Sequence, residues 1–89
     1  ASKSGLLNLT RYVATYWAKQ NVRCNLVSFG GIKTGSFDKE FIDAFLERVP
    51  MGRQAEMGEY NGVIRFLASD ASSYMTGSNT VVDGGFTAW

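Results

Sequence analysis

Histidine is absent from this 89-residue sequence, and cysteine and proline occur once each. With no imidazole and Cys24 as the only thiol, a zinc centre has no adequate ligand set and an internal disulfide is impossible. No apolar run approaches the roughly 18–20 residues of a membrane-spanning helix, and the amino terminus lacks the charged, apolar and small-residue zones of a signal peptide. An excess of charge of one sign is missing too: nine Lys and Arg stand against eight Asp and Glu, and the basic residues are scattered from Lys3 to Arg65. Such a balance leaves no electrostatic footprint for nucleic acid or an anionic membrane. Together these absences predict a reduced, metal-free, cytoplasmic protein with neither nucleic acid nor membrane as a partner.

What is present is the material of a folded interior. Hydrophobic residues make up 45% of the chain, which excludes the composition of a disordered segment. A chain of this length buries only about 60–65% of the surface that it exposes unfolded, so its core is marginal if it stands alone. Residues 1–89 carry no linker, internal repeat or low-complexity tract and read as one segment of a single domain.

Leu6, Leu9, Val13, Tyr16 and Trp17 recur at three- and four-residue spacing, predicting an amphipathic helix from the amino terminus to about Lys19 with that stripe inward. The run Val22 to Ser28, closed by Gly30-Gly31, predicts a largely buried strand, followed by a loop from Phe29 to Ser36. Asp38 precedes Phe41, Ile42, Phe45, Leu46 and Val49, the stripe of a second helix that Pro50 and Gly52 stop. A third helix is expected from Glu56 to about Ser69, with Tyr60, Val63, Ile64 and Leu67 inward, and a second strand from Asn79 to Asp83. The order helix, strand, helix, helix, strand predicts two parallel strands joined by a right-handed crossover. Two parallel strands are not a self-sufficient sheet, so the fold class is α/β: part of a doubly wound, Rossmann-like sheet and not a complete domain.

Four segments carry chemistry: Ala1-Ser2-Lys3-Ser4-Gly5, Val22-Arg23-Cys24-Asn25, Phe29-Gly30-Gly31-Ile32-Lys33-Thr34, and Phe66-Leu67-Ala68-Ser69-Asp70 through Gly77 to Val82-Asp83-Gly84-Gly85. In this order and spacing they resemble the carboxyl-terminal part of the short-chain dehydrogenase/reductase family. The resemblance covers nearly the whole chain. It implies NAD or NADP as cofactor and hydride transfer between the nicotinamide and a small carbonyl or alcohol substrate.

Residue by residue, the resemblance implies that Lys3 bonds the nicotinamide ribose and lowers the pKa of a catalytic Tyr. That Tyr belongs four positions before the lysine, where side chains share one helix face, and would fall two residues upstream of Ala1. In the loop, the backbone of Ile32 would pair with the nicotinamide carboxamide, Gly30 would let the ring approach closely, and the Thr34 hydroxyl would bond a cofactor phosphate. Phe29 stands where the family usually has proline, so the fixed φ of that ring is lost. A bare reading of the same residues is a Gly-rich turn with a capping Thr and a solvated lysine. Tyr12 and Tyr16 lie two to four helical turns past Lys3, too far to share a reacting proton with it.

Phe37, Phe41, Ile42 and Phe45 fall on the segment that the family closes over substrate, but their helical spacing reads as packing. Tyr74, Met75, Val81, Phe86 and Trp89 fall on a region that the family buries at a subunit interface; the alternative is a tail packed on its own domain, with Trp89 at least partly buried. The Gly-rich dinucleotide fingerprint, the catalytic Ser and the Tyr have no counterpart in these residues. The expectation is therefore a carboxyl-terminal piece of an oxidoreductase, inactive by itself. The alternatives are a non-catalytic module that self-associates or docks to a missing amino-terminal half, and a residual mononucleotide binder.

Overall fold

The computed structural model describes residues 2–33, 35 and 38–89. Helix α1 is Ser2–Trp17, strand β1 is Leu26–Phe29, helix α2 is Lys39–Leu46, helix α3 is Asn61–Ala68 and strand β2 is Asn79–Val82. Short 3-10 turns at Ala18–Gln20, Met57–Tyr60 and Asp70–Ser72 continue or precede the helices. The chain divides into two compact units, Ala1–Val27 with Gly62–Thr80, and Ser28–Asn61 with Val81–Trp89.

The strands pair in parallel. In the first unit the Leu26 N–H donates to the Ser78 carbonyl at 2.8 Å, and in the second the Gly30 N–H donates to the Val82 carbonyl at 2.9 Å, with the same offset along the chain. Strand β1 is shorter at its start than the expected Val22 to Ser28, and it takes in Phe29, expected as loop. The preceding residues are claimed by other partners: the Cys24 N–H by the Thr76 hydroxyl, the Cys24 carbonyl by the Gly77 N–H, and the Asn25 carboxamide by Met75 and Ser78. Side-chain bonding of this kind diverts a β-prone run from the ladder.

In the first unit, α1 buries a face other than its apolar stripe. Ala14 and Thr10 are 1% and 5% exposed, whereas Leu9 is 56% exposed and Leu6, Tyr12, Tyr16 and Trp17 are exposed as well. The cause is close backbone approach. A Cβ built on Gly77 would meet the Ala14 methyl at 3.5 Å, so the inner face takes small residues one turn apart. The Thr10 hydroxyl is satisfied within the helix, donating to the Leu6 carbonyl at 2.8 Å. Arg23 ties the rest of this unit together: Nη2 donates to the Leu67 and Ser69 carbonyls at the end of α3, and Nη1 to the Ser72 and Met75 carbonyls.

In the second unit, α2 starts as its sequence dictates, with Asp38 Oδ1 accepting from the Phe41 N–H at 2.8 Å. It ends at Leu46, and Val49 beyond it is buried at 5% exposure. The expected third helix is split into the 3-10 turn and α3; Tyr60 is buried, Val63 and Leu67 half-buried, and Ile64 exposed. Tyr74 is fully exposed and Trp89 is 82% exposed, against the expected burial of the terminal tryptophan.

Candidate active-site loop and its family

The loop that follows β1 is built from backbone. Gly30 and Gly31 do not have positive φ; the left-handed glycines among the described residues are Gly35, Gly52, Gly77, Gly84 and Gly85. What the pair needs is space. A Cβ on Gly30 would lie 2.8 Å from the Asp83 Cα, and one on Gly31 would lie 2.8 Å from the Phe45 ring. These glycines therefore have a packing requirement inside the chain, independent of any ligand.

Beyond them the backbone forms an isolated parallel bridge between Ile32 and Ala55. The Ala55 N–H donates to the Gly31 carbonyl and the Lys33 N–H donates to the Ala55 carbonyl, both at 2.9 Å. In a parallel bridge the residue between two such bonds turns its own N–H and C=O the other way. Ile32 thus presents a donor and an acceptor side by side, and neither is bonded within the described residues. A primary carboxamide, with one acceptor oxygen and an NH2 donor, is complementary to that pair.

The loop opens on a concave pocket of about 560 Å³ whose walls include Phe29, Ile32, Phe41, Phe45 and Phe86, with Asp83 and Gln54 as polar members. The size and the apolar walls suit a small molecule. Phe41 and Phe45, whose spacing reads as plain packing, here line open space; Phe41 is exposed and Phe45 stacks on Phe86 with ring centroids 5.4 Å apart. Asp83 is committed elsewhere. Its carboxylate accepts from the Thr87 hydroxyl and N–H and from the Gly85 N–H, and these bonds, the hydroxyl first, hold it below the usual carboxylate range.

Tyr60, which only its place in a helical stripe marked out, bonds the loop backbone through its side chain. Its hydroxyl donates to the Gly30 carbonyl at 3.3 Å and its ring lies 4.2 Å from that of Phe29, centroid to centroid. Burial pushes its phenol up, so the hydroxyl keeps its proton. Of the residues that the sequence singles out, the structure brings Phe29, Gly30 and Ile32 together. Lys3 sits exposed on the first turn of α1, in the first unit. Thr34 and Phe37 lie outside the described residues. No group of His, Cys, Asp and Glu that could hold a metal ion occurs among the described residues, and no helix of theirs is long and apolar enough to cross a membrane.

Residues 1–87 match the profile of a family described as enoyl-(acyl carrier protein) reductase. The ribulose-forming D-arabinitol 2-dehydrogenase of Scheffersomyces stipitis is 45% identical over 99% of this chain and 34% of that protein. A short-chain type dehydrogenase/reductase from Mycobacterium marinum superposes with a TM-score of 0.91 at 38% identity, covering 99% of this chain and 35% of that one. A short-chain dehydrogenase from Leptospira borgpetersenii, solved with bound NAD+, also gives 0.91 at 38% identity, over 96% and 33%. The chain spans about a third of the length of the curated relatives that it matches. With the profile covering nearly all of it, and with its α/β elements matching part of the doubly wound fold of those structures, the chain belongs to the short-chain dehydrogenase/reductase family.

Proposed function

We propose that this chain is the carboxyl-terminal portion of an NAD(P)-dependent short-chain oxidoreductase and that it supplies the nicotinamide-holding loop. The observation that carries the reading is the N–H and C=O pair of Ile32, unbonded among the described residues, which fits a carboxamide. When bound, the nicotinamide would supply a carbon that takes or gives hydride against a small alcohol or carbonyl compound. Ile32 would fix which ring edge faces the pocket, and the aromatic wall of Phe41, Phe45 and Phe86 would exclude water from the reacting face. Lys3 would hold the nicotinamide ribose and tune a phenol supplied by residues outside this sequence, and Thr34 would meet a phosphate. Without that phenol the reading expects no turnover from the chain by itself.

Nicotinamide mononucleotide, titrated into the 15N-labelled chain, tests the reading. The Ile32 amide resonance is expected to shift saturably, with Gly30 and Gly31 following; no shift at Ile32 up to millimolar ligand would falsify it. Incubation with NADH or NADPH and simple carbonyl compounds is expected to show no oxidation above background, and clear turnover would refute the missing acid.

A second reading, association through α1, is favoured by one observation: the apolar stripe of that helix is exposed, with Tyr12 and Tyr16 stacked at 6.0 Å. Faces of this kind are covered by a partner more often than left in water. Sedimentation at micromolar concentration separates the two, since association predicts a dimer and the first reading alone requires none.

A further inference from the structure

The route of the backbone through Phe29 and Gly30 has no ring to fix it, because Phe29 is free in φ where a proline would not be. A donor/acceptor pair two residues further on is useful only if that route is reproducible. We infer that Tyr60 is a positioning residue for the Ile32 pair, clamping the loop through its hydroxyl on the Gly30 carbonyl and its ring against Phe29. The inference rests on the reading of this loop as the carboxamide site.

The clamp has a fixed base. Tyr60 closes the 3-10 turn Met57–Tyr60, whose start is held by a reciprocal capping box between Glu56 and Glu59. Glu59 is in turn gripped by Arg53, whose Nη1 and Nη2 donate to its two carboxylate oxygens at 2.6 and 3.0 Å. Just ahead of the turn, Ala55 makes the bridge that faces Ile32. The same short stretch thus grips the loop at two places, by side chain at Gly30 and by backbone at Gly31 and Lys33. Tyr60 is 5% exposed and Gly30 half-buried, so the bond is partly screened from water. Its hydroxyl remains a donor because burial opposes ionisation. At 3.3 Å the bond is long for O–H to O, which sets a modest expected effect.

Amide hydrogen exchange on the purified chain tests the clamp without ligand. In Tyr60→Phe, which keeps the ring and loses the hydroxyl, exchange at Lys33 and Ala55 should speed up by about three- to tenfold, the loss of one modest hydrogen bond. The Leu26 and Gly77 amides, bonded in the other unit, should be unchanged. Equal acceleration at all four would make Tyr60 ordinary core and overturn the inference, as would no change at Lys33 and Ala55. A second variant guards the result. The N–H groups of Leu26 and Gly30 face β2, so that of Phe29 faces away and a proline there costs no ladder bond. In Phe29→Pro with Tyr60→Phe, the fixed φ should return exchange at Lys33 and Ala55 toward the unsubstituted rate; if it stays fast, the clamp does not work by fixing this route.

Nicotinamide mononucleotide separates the two readings. Loosened amides in Tyr60→Phe with a weakened shift at Ile32 support both. Loosened amides with no shift at Ile32 even in the unsubstituted chain support the clamp and remove the carboxamide reading. A normal shift with unchanged amides removes the clamp and leaves the carboxamide reading standing.

Discussion

Arg23 Nη1 donates to both the carbonyl and the hydroxyl of Ser72, at 2.9 and 3.0 Å, and Ser72, the last residue of the 3-10 turn Asp70–Ser72, is 2% exposed. The other guanidinium nitrogen reaches the Leu67 and Ser69 carbonyls, where the end of α3 leaves acceptors without helical partners. One planar cation therefore closes a helix and seats the turn that follows it.

Replacing that fork should be costly even with charge kept. Arg23→Lys offers a single ammonium in place of two aligned nitrogens and should destabilise the chain by about 2 kcal/mol, at the level of a hydrogen bond to a charged group. Arg23→Leu should cost more, because the Ser72 and Leu67 carbonyls then lose a charged donor in a partly buried place. Urea unfolding of the two variants checks the order.

Acid should loosen the turn that bears Tyr60. The Arg53 guanidinium, followed by the Glu56 N–H, holds the Glu59 carboxyl well below its ordinary value of 4.5, at about 2. A folded-state pKa below the unfolded one gives stability that is present above pH 4.5 and lost as pH falls toward 2. The group is solvent-exposed, so the effect is read as a trend in thermal midpoint and not as an energy. Glu59→Gln should lower the midpoint at pH 7, and the gap to the unsubstituted chain should close across that window.

Crowding at the loop predicts a coupled pair. Gly31→Ala places a methyl 2.8 Å from Cε2 of Phe45 and should cost about 1–3 kcal/mol as the ring is displaced. Phe45→Leu in the same chain should recover part of that loss. A double-mutant cycle with a coupling energy near zero would mean that the ring moves aside freely.

The start of α2 offers a simpler test. Asp38→Ala removes the acceptor for the Phe41 N–H and should cost about 1 kcal/mol. Asp38→Asn, which can still cap, should cost less, as read by thermal unfolding followed by far-ultraviolet circular dichroism.

Order and type of the five main elements were legible because turn residues punctuate the chain: Asp38 caps α2 as its type dictates, Gly30 follows β1, and Gly84-Gly85 stop the run of β2, which ends at Val82, one residue short of the expected Asp83. The start of β1 was not, because Asn25 and Cys24 spend their bonds on residues some fifty positions away, which no local pattern encodes. The inner face of α1 was misjudged because hydrophobic periodicity finds large residues, while Ala14 and Thr10 are inside for their smallness. Within the candidate loop, Phe29, Gly30 and Ile32 are the residues that family motifs single out in the sequence. Tyr60 left only an apolar-stripe signal, since the carbonyl that it holds belongs to backbone thirty residues earlier.

The contacts behind Gly30 and Gly31 bear on how this loop can be interrogated at all. Asp83 and Phe45 occupy the volume that any larger side chain would need, so a descendant of this sequence that had stopped using a cofactor would still be obliged to keep both positions bare. Loss of function on substitution there would report a disturbed fold first and say nothing about ligands. The informative position is Ile32, where the proposed recognition uses the peptide groups and not the side chain; replacing its amide by an ester would probe that recognition and leave the packing alone.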